Sequence, residues 1–363
     1  MKVLTVVGTR PEIIRLSLII KKLDQLADRH ILVHTGQNFT PSLSKIFFEQ
    51  LDLRKPDHML MEKKQSFGQQ MATMFLQLEK IFSEEKPDKI LVLGDTNSGL
   101  SAILAERMGY PVFHMEAGNR CFDATVPEEV NRKVIDAISS FNLPYTQNSK
   151  ENLVNEGIPT KRIYVTGNPI YEVLQHYSAQ INKSNIFEKL HLSPRQYMLV
   201  TIHRTENVDD RDRLIDIMKG LNNVAQTYKT RMICSLHPRT ASKLDQPARN
   251  KFSPLIEFHE PFGFFDFVQL EKHASLVLTD SGTVQEECCI FHVPTVTVRT
   301  TTERPETIEC GSNLLSGVTA DQISRAVHVM MNRSSEWTCP KGYTDPTVSD
   351  KVVKILLGGI GVV

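Results

Sequence analysis

Short β-rich runs alternate with longer helical patterns along the whole chain, and this alternation restricts the possible folds more than any other feature. In the first half the short runs are Val3 to Gly8, His30 to Gly36, Ile90 to Gly94, Val112 to Met115 and Ile163 to Gly167. In the second half they are Tyr197 to Ile202, Met232 to Leu236, Ile256 to Phe258, Leu276 to Thr279 and Thr295 to Val298. Such alternation predicts largely parallel sheets with helices on their faces. We therefore expect an α/β chain with two doubly wound domains.

The length of 363 residues also favours two domains over one. The triplet Gly167-Asn168-Pro169 separates the two series of strands. We place the first domain at residues 1–167 and the second at residues 168–345. Ligands bind open parallel sheets beyond the carboxyl ends of the strands, and the unusual polar residues of this chain follow those ends.

The composition argues against broad surfaces for nucleic acid or membrane. Basic and acidic residues number 42 each, and the hydrophobic fraction is 40%. The N-terminus enters a strand pattern directly, and no long apolar run is present, so we expect a cytoplasmic protein. The six cysteines show no CxxC pairing, which favours reduced thiols over disulfides or zinc ligands.

The first strand is followed directly by Gly8-Thr9-Arg10-Pro11-Glu12. Glycine permits a tight turn, and Pro11 suits the first position of a helix. Backbone N–H groups and the Arg10 guanidinium would then face an anion together. The alternative is an arginine salt bridge at a helix cap. The segment is not GxGxxG, so it does not indicate dinucleotide binding.

Three further loops of the first domain carry carboxylates. Asp95 follows the strand at Ile90 to Gly94, Glu116 follows the strand at Val112 to Met115, and Glu128 opens the next helix. Asp95 and Glu128 could simply cap helices. Their convergence on one sheet edge, together with Arg120 and Arg132, favours a functional site.

The second domain repeats this arrangement. His203 and His237 each follow a strand and lie close to an arginine in sequence, which suggests phosphate contacts or proton transfer, and their spacing does not match a metal site. Ser281 and Gly282 lie where a strand turns into a helix, whose free N–H groups can bind phosphate. Glu287 could accept hydrogen bonds from a ribose diol, although an ion-paired helix glutamate is the alternative.

Taken together and in order, these motifs resemble the non-hydrolysing UDP-N-acetylglucosamine 2-epimerase family over nearly the whole chain. The matching segments are Gly8-Thr9-Arg10-Pro11-Glu12, Gly94-Asp95-Thr96, His114-Met115-Glu116-Ala117-Gly118, Pro127-Glu128-Glu129, His203-Arg204, Asp280-Ser281-Gly282 and Thr302-Glu303-Arg304-Pro305-Glu306.

The resemblance implies glycosyltransferase-B architecture: two Rossmann-like domains with UDP in the cleft. The last helix, at Ser349 to Leu357 within residues 346–363, would cross back to the first domain. The implied catalytic residues are Asp95, Glu116, Glu128, His203 and Arg132. The implied substrate-binding residues are Arg10 at the diphosphate, Arg15 where the family often has Lys, Ser281 and Gly282 at phosphate, Glu287 at the ribose, Arg304, and His237 and Phe267 near the base.

The family reaction explains the number of carboxylates. Loss of UDP from the anomeric carbon builds positive charge next to C2 and eases removal of the C2 proton. The product is a 2-acetamidoglycal, and return of a proton to the opposite face, followed by UDP, inverts C2. The carboxylates would stabilise oxocarbenium character, and Arg10 the leaving diphosphate. The resemblance implies no metal, no other cofactor, a UDP-sugar substrate and a homodimer that supplies precursors of surface polysaccharides.

The identity of the sugar and the type of reaction both have alternatives. Three segments are similar to the branch that acts on 6-deoxy substrates of the UDP-N-acetyl-L-fucosamine type: Gly36-Gln37-Asn38-Phe39, Ile46 to Leu51 and His114 to Asp123. The sugar therefore stays open between UDP-N-acetylglucosamine or its manno epimer and a 6-deoxy analogue. A hydrolysing 2-epimerase, a glycosyltransferase of the same architecture and a non-catalytic UDP-sugar binding protein are the alternatives.

Overall fold

The structure is a computed structural model that describes residues 1–37, 41–60, 66–332 and 336–360, with the backbone alone for residues 41–45. Asn38 and Phe39 of the predicted 6-deoxy motif lie outside the described residues. The chain forms two compact units. The first comprises Met1–His176 with Lys341–Val363, and the second comprises Tyr177–Pro340.

The first unit contains six strands and eight α-helices within its described residues. The strands are β1 (Lys2–Val7), β2 (Arg29–His34), β3 (His58–Met59), β4 (Lys89–Leu93), β5 (Val112–Met115) and β6 (Phe141–Leu143). The helices are α1 (Arg10–Leu26), α2 (Pro41–Gln50), α3 (Phe67–Glu85), α4 (Ser101–Arg107), α5 (Pro127–Ile138), α6 (Gln147–Asn155), α7 (Ile170–His176) and, after the second unit, α18 (Val348–Leu357). Short 3₁₀ turns occupy Asn97–Leu100 and Thr160–Arg162.

The second unit has the same kind of element order. Its strands are β7 (Tyr197–Thr201), β8 (Arg231–Ser235), β9 (Ile256–His259), β10 (Leu276–Thr279), β11 (Thr295–Thr297) and β12 (Asn313–Leu315). Its helices are α8 (Ser178–Asn182), α9 (Ile186–Leu190), α10 (Thr205–Val208), α11 (Arg211–Tyr228), α12 (Pro238–Lys243), α13 (Gln246–Arg249), α14 (Phe264–Lys272), α15 (Gly282–Phe291), α16 (Pro305–Glu309) and α17 (Ala320–Met331).

Both sheets are parallel throughout and share one topology. The first has the strand order β3-β2-β1-β4-β5-β6, and the second has β12-β11-β10-β7-β8-β9. Numbered within its own unit, each is the doubly wound 3-2-1-4-5-6 order of Rossmann-like domains. The order reverses between β1 and β4 and between β7 and β10, so the loops after these strands lie where such sheets bind ligands.

Helices cover both faces of the sheet, which explains why the strands are continuous apolar runs in the sequence. In β7, Met198 and Val200 pack against α11 and α17, whereas Tyr197 and Leu199 pack against α9, α14 and α15. Successive side chains of a strand point to opposite faces, so a strand covered on both sides needs apolar residues at every position. The predicted α/β class follows from this requirement.

The prediction of a strand at Ile163 to Gly167 is wrong. Ile163 forms one isolated bridge with Asn142, and the N–H groups of Tyr164 and Thr166 donate to Asn142 and Pro144. Pro144 has no N–H with which to continue the ladder. The sixth strand of this sheet is β6, which the sequence pattern missed.

The helix near the C-terminus packs in the first unit. It begins at Val348, one residue before the predicted start, and contacts α1. Lys22 pairs with Asp350, and Glu172 accepts a hydrogen bond from the Ser349 N–H at 2.7 Å. Across the described parts of the chain, we find no helix with the length and apolarity needed to cross a membrane.

Two glycines of the first unit test how tightly the loop after β5 is packed. Gly118 has φ of +78°, and a Cβ there would lie 2.1 Å from the carbonyl oxygen of Ser149. Gly157 has φ of +90°, but a Cβ there would meet no atom within 4 Å. We expect Gly118→Ala to lower the free energy of unfolding by about 3 kcal/mol, from left-handed strain plus overpacking. Gly157→Ala is the matched control.

Gly157→Ala should lower the free energy of unfolding by about 1 kcal/mol, because it introduces the backbone strain without the overpacking. Urea unfolding of both variants beside the wild type measures the two losses. Equal losses would contradict the close approach of Gly118 to α6.

Candidate functional site

In the first unit the loop after β1 is tied to the loop after β4 by a buried carboxyl group. Glu12 accepts hydrogen bonds from the Gly8 and Thr9 N–H groups at 2.5 and 3.0 Å, and from the Thr96 hydroxyl at 2.5 Å. Burial raises the pKa of Glu12 to about 7, although these hydrogen bonds oppose the rise. Glu12 therefore holds together the loops after β1 and β4, between which the strand order of the sheet reverses.

Arg10 is the first residue of α1 and remains partly exposed. Its guanidinium lies 5.6 Å from the centre of the Phe47 ring, a cation–π contact with the segment Ile46 to Leu51. The predicted diphosphate ligand and part of the predicted 6-deoxy motif are thus neighbours.

Asp95 follows β4 and is held by α5. Arg132, which is buried, makes an ion pair with the Asp95 carboxylate, and the Asn131 side chain donates to the Asp95 carbonyl at 2.9 Å. The Asp95 side chain keeps 17% of its surface exposed, so solvent or a ligand can reach it. Arg132 also donates to the carbonyl of Asn119 at 3.0 Å, which links Asp95 to the loop after β5.

Glu116 follows β5 and forms a buried ion pair with Arg15 of α1. The Arg15 guanidinium lies 5.7 Å from the centre of the Tyr145 ring, and the Tyr145 hydroxyl is 3.5 Å from the Glu116 carboxylate. Glu116 has φ of +64°, a left-handed conformation that costs free energy in a residue with a side chain. The structure therefore brings a predicted catalytic residue and a predicted substrate-binding residue into direct contact.

A buried network below Glu116 holds its loop. Asp136 of α5 accepts hydrogen bonds from the His114 ring at 2.8 Å and the Gly118 N–H at 3.1 Å, and pairs with Arg120 at 2.7 Å. The other ring nitrogen of His114 is 2.8 Å from the carbonyl oxygen of Gly94. Burial acts to raise the pKa of Asp136, but His114 and Arg120 outweigh it and lower the pKa. The network thus connects the loops of Asp95 and Glu116.

The adjacent glutamates at the start of α5 differ in environment. Glu129 is buried and accepts hydrogen bonds from the N–H groups of Cys121 and Phe122 at 3.0 and 3.2 Å. Glu128 is partly exposed in the first helical turn. Glu129 is thus occupied by its own loop, whereas Glu128 retains the access that a catalytic role requires.

In the second unit a buried aspartate organises the loop after β7. Asp280 accepts hydrogen bonds from the N–H groups of His203 and Arg204 at 3.0 and 2.9 Å, and from the Asn207 side chain at 3.1 Å. The rings of His203 and His237 lie 5.5 Å apart. His237 also accepts from the Arg239 N–H at 3.2 Å, so it caps α12. The two predicted histidines are therefore neighbours.

The turn into α15 brings together another predicted group. Ser281 is the N-cap residue, and its hydroxyl is 3.0 Å from that of Thr283. The Arg304 guanidinium lies beside Gly282, 3.5 Å from the place of a Cβ, and donates to Glu286 at 2.6 Å. An N–H-rich helix end, two hydroxyl groups and a cation are features that bind phosphate.

Glu287 of α15 lies next to a second carboxyl group, Glu271 of α14. Glu271 is wholly buried, and Cys288 donates a hydrogen bond to it at 3.4 Å. Burial, together with the charge and hydrogen bond of Glu287, raises the pKa of Glu271. Burial and the neighbouring Glu287 therefore both favour the neutral form of Glu271. Phe267, predicted near the base, packs on the core formed with Val284.

Nearly the whole chain is similar to known proteins. A family model described as UDP-N-acetylglucosamine 2-epimerase covers residues 21–357. A UDP-N-acetylglucosamine 2-epimerase of Methanocaldococcus jannaschii is 41% identical over 99% of this chain and 100% of its own length. The chain belongs to the UDP-N-acetylglucosamine 2-epimerase family.

Solved structures of this family confirm the fold class. The Methanocaldococcus jannaschii enzyme in complex with UDP-GlcNAc and UDP has a TM-score of 0.93 and 39% identity, covering 98% of this chain and 99% of that one. The Neisseria meningitidis enzyme bound to UDP-GlcNAc has a TM-score of 0.87 and 26% identity, covering 98% and 100%.

Relatives named as 2-epimerases differ in the sugar. A UDP-2,3-diacetamido-2,3-dideoxy-D-glucuronate 2-epimerase of Pseudomonas aeruginosa is 36% identical over 92% of this chain and 93% of its own length. Membership in the family therefore indicates epimerisation and leaves the hexosamine undetermined.

Sequence reasoning assigned no role to three buried acids, Glu12, Asp136 and Glu271. A signal existed for Asp136, since Glu129, Arg132 and Asp136 follow i, i+3, i+7 spacing and lie on one face of α5. Three charged residues on the buried face of a helix indicate an ionic network rather than a core. Glu12 carries the capping-box pattern Thr9-x-x-Glu12 at the start of α1, whereas no comparable pattern marks Glu271.

The Asp136 network makes a prediction for this family member. All three partners of Asp136 are donors, so Asp136→Asn would point an amide NH₂ at one of them. We expect a loss of about 3–5 kcal/mol in the free energy of unfolding, as for breaking a buried ion pair. Urea unfolding measures it, with the exposed Asp28→Asn as control. An Asp136→Asn variant as stable as the control would contradict the network.

The raised pKa of Glu271 predicts the sign of a pH effect. The folded state holds the proton more tightly than the unfolded state, so stability is greatest below the unfolded pKa and falls as pH rises toward the folded pKa. The slope is about 1.4 kcal/mol per pH unit in that window. Glu271→Gln mimics the protonated acid and should flatten the slope in urea unfolding between pH 4.5 and 7.5.

The exposed Glu309→Gln serves as the matched control and should retain the wild-type slope. Identical profiles for Glu271→Gln and the wild type would show that Glu271 does not hold a proton in the folded state.

Proposed function

We propose that the chain is a non-hydrolysing 2-epimerase that inverts C2 of a UDP-N-acetylhexosamine. The observation that carries the proposal is the carboxyl edge of the first sheet. There Asp95 and Glu116 are each paired with an arginine that is almost completely buried, Arg132 and Arg15. A protein that only binds a dianionic diphosphate gains nothing from added carboxylates, whereas proton transfer at carbon requires them.

The reaction balances without an external reagent. A carboxylate takes the proton from C2, the C1–O bond to UDP breaks with its electron pair, and a C1=C2 double bond forms. A carboxylic acid then protonates C2 on the opposite face, and the diphosphate oxygen of UDP bonds to C1 again. Asp95, Glu116 and Glu128 are the proposed base and acid groups.

The ion pairs support this assignment. A buried arginine fixes the direction of each carboxylate: Arg132 of α5 holds Asp95, and Arg15 of α1 holds Glu116. Developing positive charge at C1 is then stabilised by fixed negative groups that need no reorganisation. Arg132 is thereby proposed to act through Asp95.

The second unit is proposed to bind the UDP portion. Ser281, Gly282 and Arg304 provide hydroxyl, N–H and guanidinium donors for phosphate, and Glu287 accepts from the ribose diol. The raised pKa of Glu271 supports that role, because a neutral Glu271 adds no second negative charge beside Glu287. His203, whose side chain is 34% exposed, is proposed at the diphosphate with Arg10, and His237 and Phe267 toward the base.

The proposed sugar is UDP-N-acetylglucosamine and its manno epimer, as the names of relatives that cover the full chain suggest. The contact of Arg10 with Phe47 favours a second candidate, the 6-deoxy-L analogue, because it puts the motif similar to that branch beside the proposed diphosphate ligand. We also propose a cytoplasmic homodimer that makes precursors of surface polysaccharides.

Proton NMR in D₂O tests the proposal. The purified protein is incubated with UDP-N-acetylglucosamine and, separately, with the UDP-linked 6-deoxy-L-talosamine derivative. We expect loss of the C2 proton signal by exchange and a new UDP-sugar epimer, faster with the true substrate. Release of UDP with free N-acetylmannosamine would establish a hydrolysing enzyme instead. No exchange and no UDP would contradict the proposal and leave the glycosyltransferase and the non-catalytic UDP-sugar binding protein as the alternatives.

Neutralising the carboxylates should reduce turnover without removing binding. We expect Asp95→Asn and Glu116→Gln to lower kcat by about 10²- to 10⁴-fold, the usual contribution of a positioned acid or base. UDP affinity by calorimetry should change less than threefold, because both variants keep all the proposed phosphate ligands, Arg10 of the first unit and Ser281, Gly282 and Arg304 of the second. Glu84→Gln, at an exposed position of α3, is the control. Full activity of both variants would contradict the proposed chemistry.

A further inference from the structure

Two cysteines of the second unit lie within reach of one another. The sulfur of Cys289, in the last turn of α15, is 3.8 Å from that of Cys310, which ends α16. Cys289 is wholly buried, whereas Cys310 is partly exposed and flanked by the exposed Glu309 and Gly311. One sulfur is thus open to a reagent, and the other is shielded behind it.

The surroundings make the outer sulfur the better nucleophile. The pKa of Cys310 is lowered to about 6. The hydrogen bond from Cys289 is the largest cause and Ser312 adds to it, whereas burial opposes both. The same hydrogen bond raises the pKa of Cys289. The thiolate is the reactive form of cysteine, so Cys310 reacts first and Cys289 second.

Cys339 and Cys288 are the neighbouring thiols, and Cys339 also interacts with the Cys289 side chain. The Cys339 sulfur lies 3.5 Å from the carbonyl oxygen of Cys289 and 4.0 Å from the His292 ring. Cys288 donates to Glu271 at 3.4 Å. Among the described residues, no group of three or more possible ligands has a geometry that could hold a metal ion. The Cys289 and Cys310 pair is therefore set up for thiol chemistry with each other.

We propose that Cys289 and Cys310 form an oxidisable dithiol that closes to an intramolecular disulfide under a two-electron thiol oxidant, such as a diazene. The Cys310 thiolate adds to one nitrogen of the N=N bond, and the other nitrogen takes a proton. The Cys289 sulfur, losing its proton, attacks the Cys310 sulfur, and the S–N bond breaks. The sulfurs lose two electrons, and the diazene leaves as a hydrazine.

The geometry requires only a modest movement. The sulfurs must approach by roughly 1.8 Å to reach the length of a disulfide bond. The bond would join the last turn of α15 to the end of α16, and the opposite ends of these helices carry Gly282 and Arg304. Oxidation thus locks together the two helices that border the proposed phosphate turn. The thiol chemistry itself does not depend on the proposed function.

Oxidation of the full-length native protein with diamide at pH 7.5 tests the proposal. We expect the six free thiols to fall to four, and dithiothreitol to restore them. Trypsin digestion without reduction should yield residues 273–299 joined to residues 300–325, since trypsin does not cut between Arg304 and Pro305. Six remaining thiols, or a bridge to Cys339, would overturn the proposal.

Two alanine variants identify the sulfur on α15, because Cys288 and Cys289 share one tryptic peptide. Cys289→Ala should lose the cross-link and leave Cys310 open to a maleimide in the native protein. Cys288→Ala, the matched neighbour, should keep the cross-link. Persistence of the cross-link in Cys289→Ala would overturn the assignment, and circular dichroism of each variant checks that it folds.

Discussion

One buried aspartate in each unit holds the loops from which the proposed chemistry comes. Asp136 accepts hydrogen bonds from the His114 ring and the Gly118 N–H and pairs with Arg120. Asp280 accepts hydrogen bonds from N–H groups of the loop after β7. Transfer of a carboxylate from water to the interior costs several kcal/mol unless donors surround it. Asp136 and Asp280 can therefore be buried because donors surround them. The same hydrogen bonds hold the loops that supply the donors.

The same rule accounts for the different state of Glu271. It lies against another carboxyl group rather than against cations, so its ionised form has no compensating charge. Its pKa rises, because burial and the charge of Glu287 both disfavour the ionised form. The neutral form of Glu271 avoids a second negative charge beside Glu287, the acceptor that we propose for the ribose.

The arginines of the first unit pair with two kinds of acid, a structural one and the two that we propose as catalytic. Arg120 forms an ion pair with Asp136, which is buried below the loop after β5. Arg132 and Arg15 form ion pairs with Asp95 and Glu116, which follow β4 and β5 at the edge of the sheet. A guanidinium can stack on Tyr145 while it pairs with Glu116, which a lysine ammonium does less well.

The sequence by itself determined the α/β class, the positions of most long strands, and the loops that carry polar residues, because apolar periodicity and strand ends are local properties. The short strands β3, β6 and β12, of two or three residues, are below the length at which a pattern exists. Only the tertiary structure decided the strand order and the partners. Arg15 and Glu116 are 101 residues apart, and the difference between Glu128 and Glu129 depends on which face of α5 is covered. Burial and pairing arise from packing between distant segments, and no local pattern encodes them.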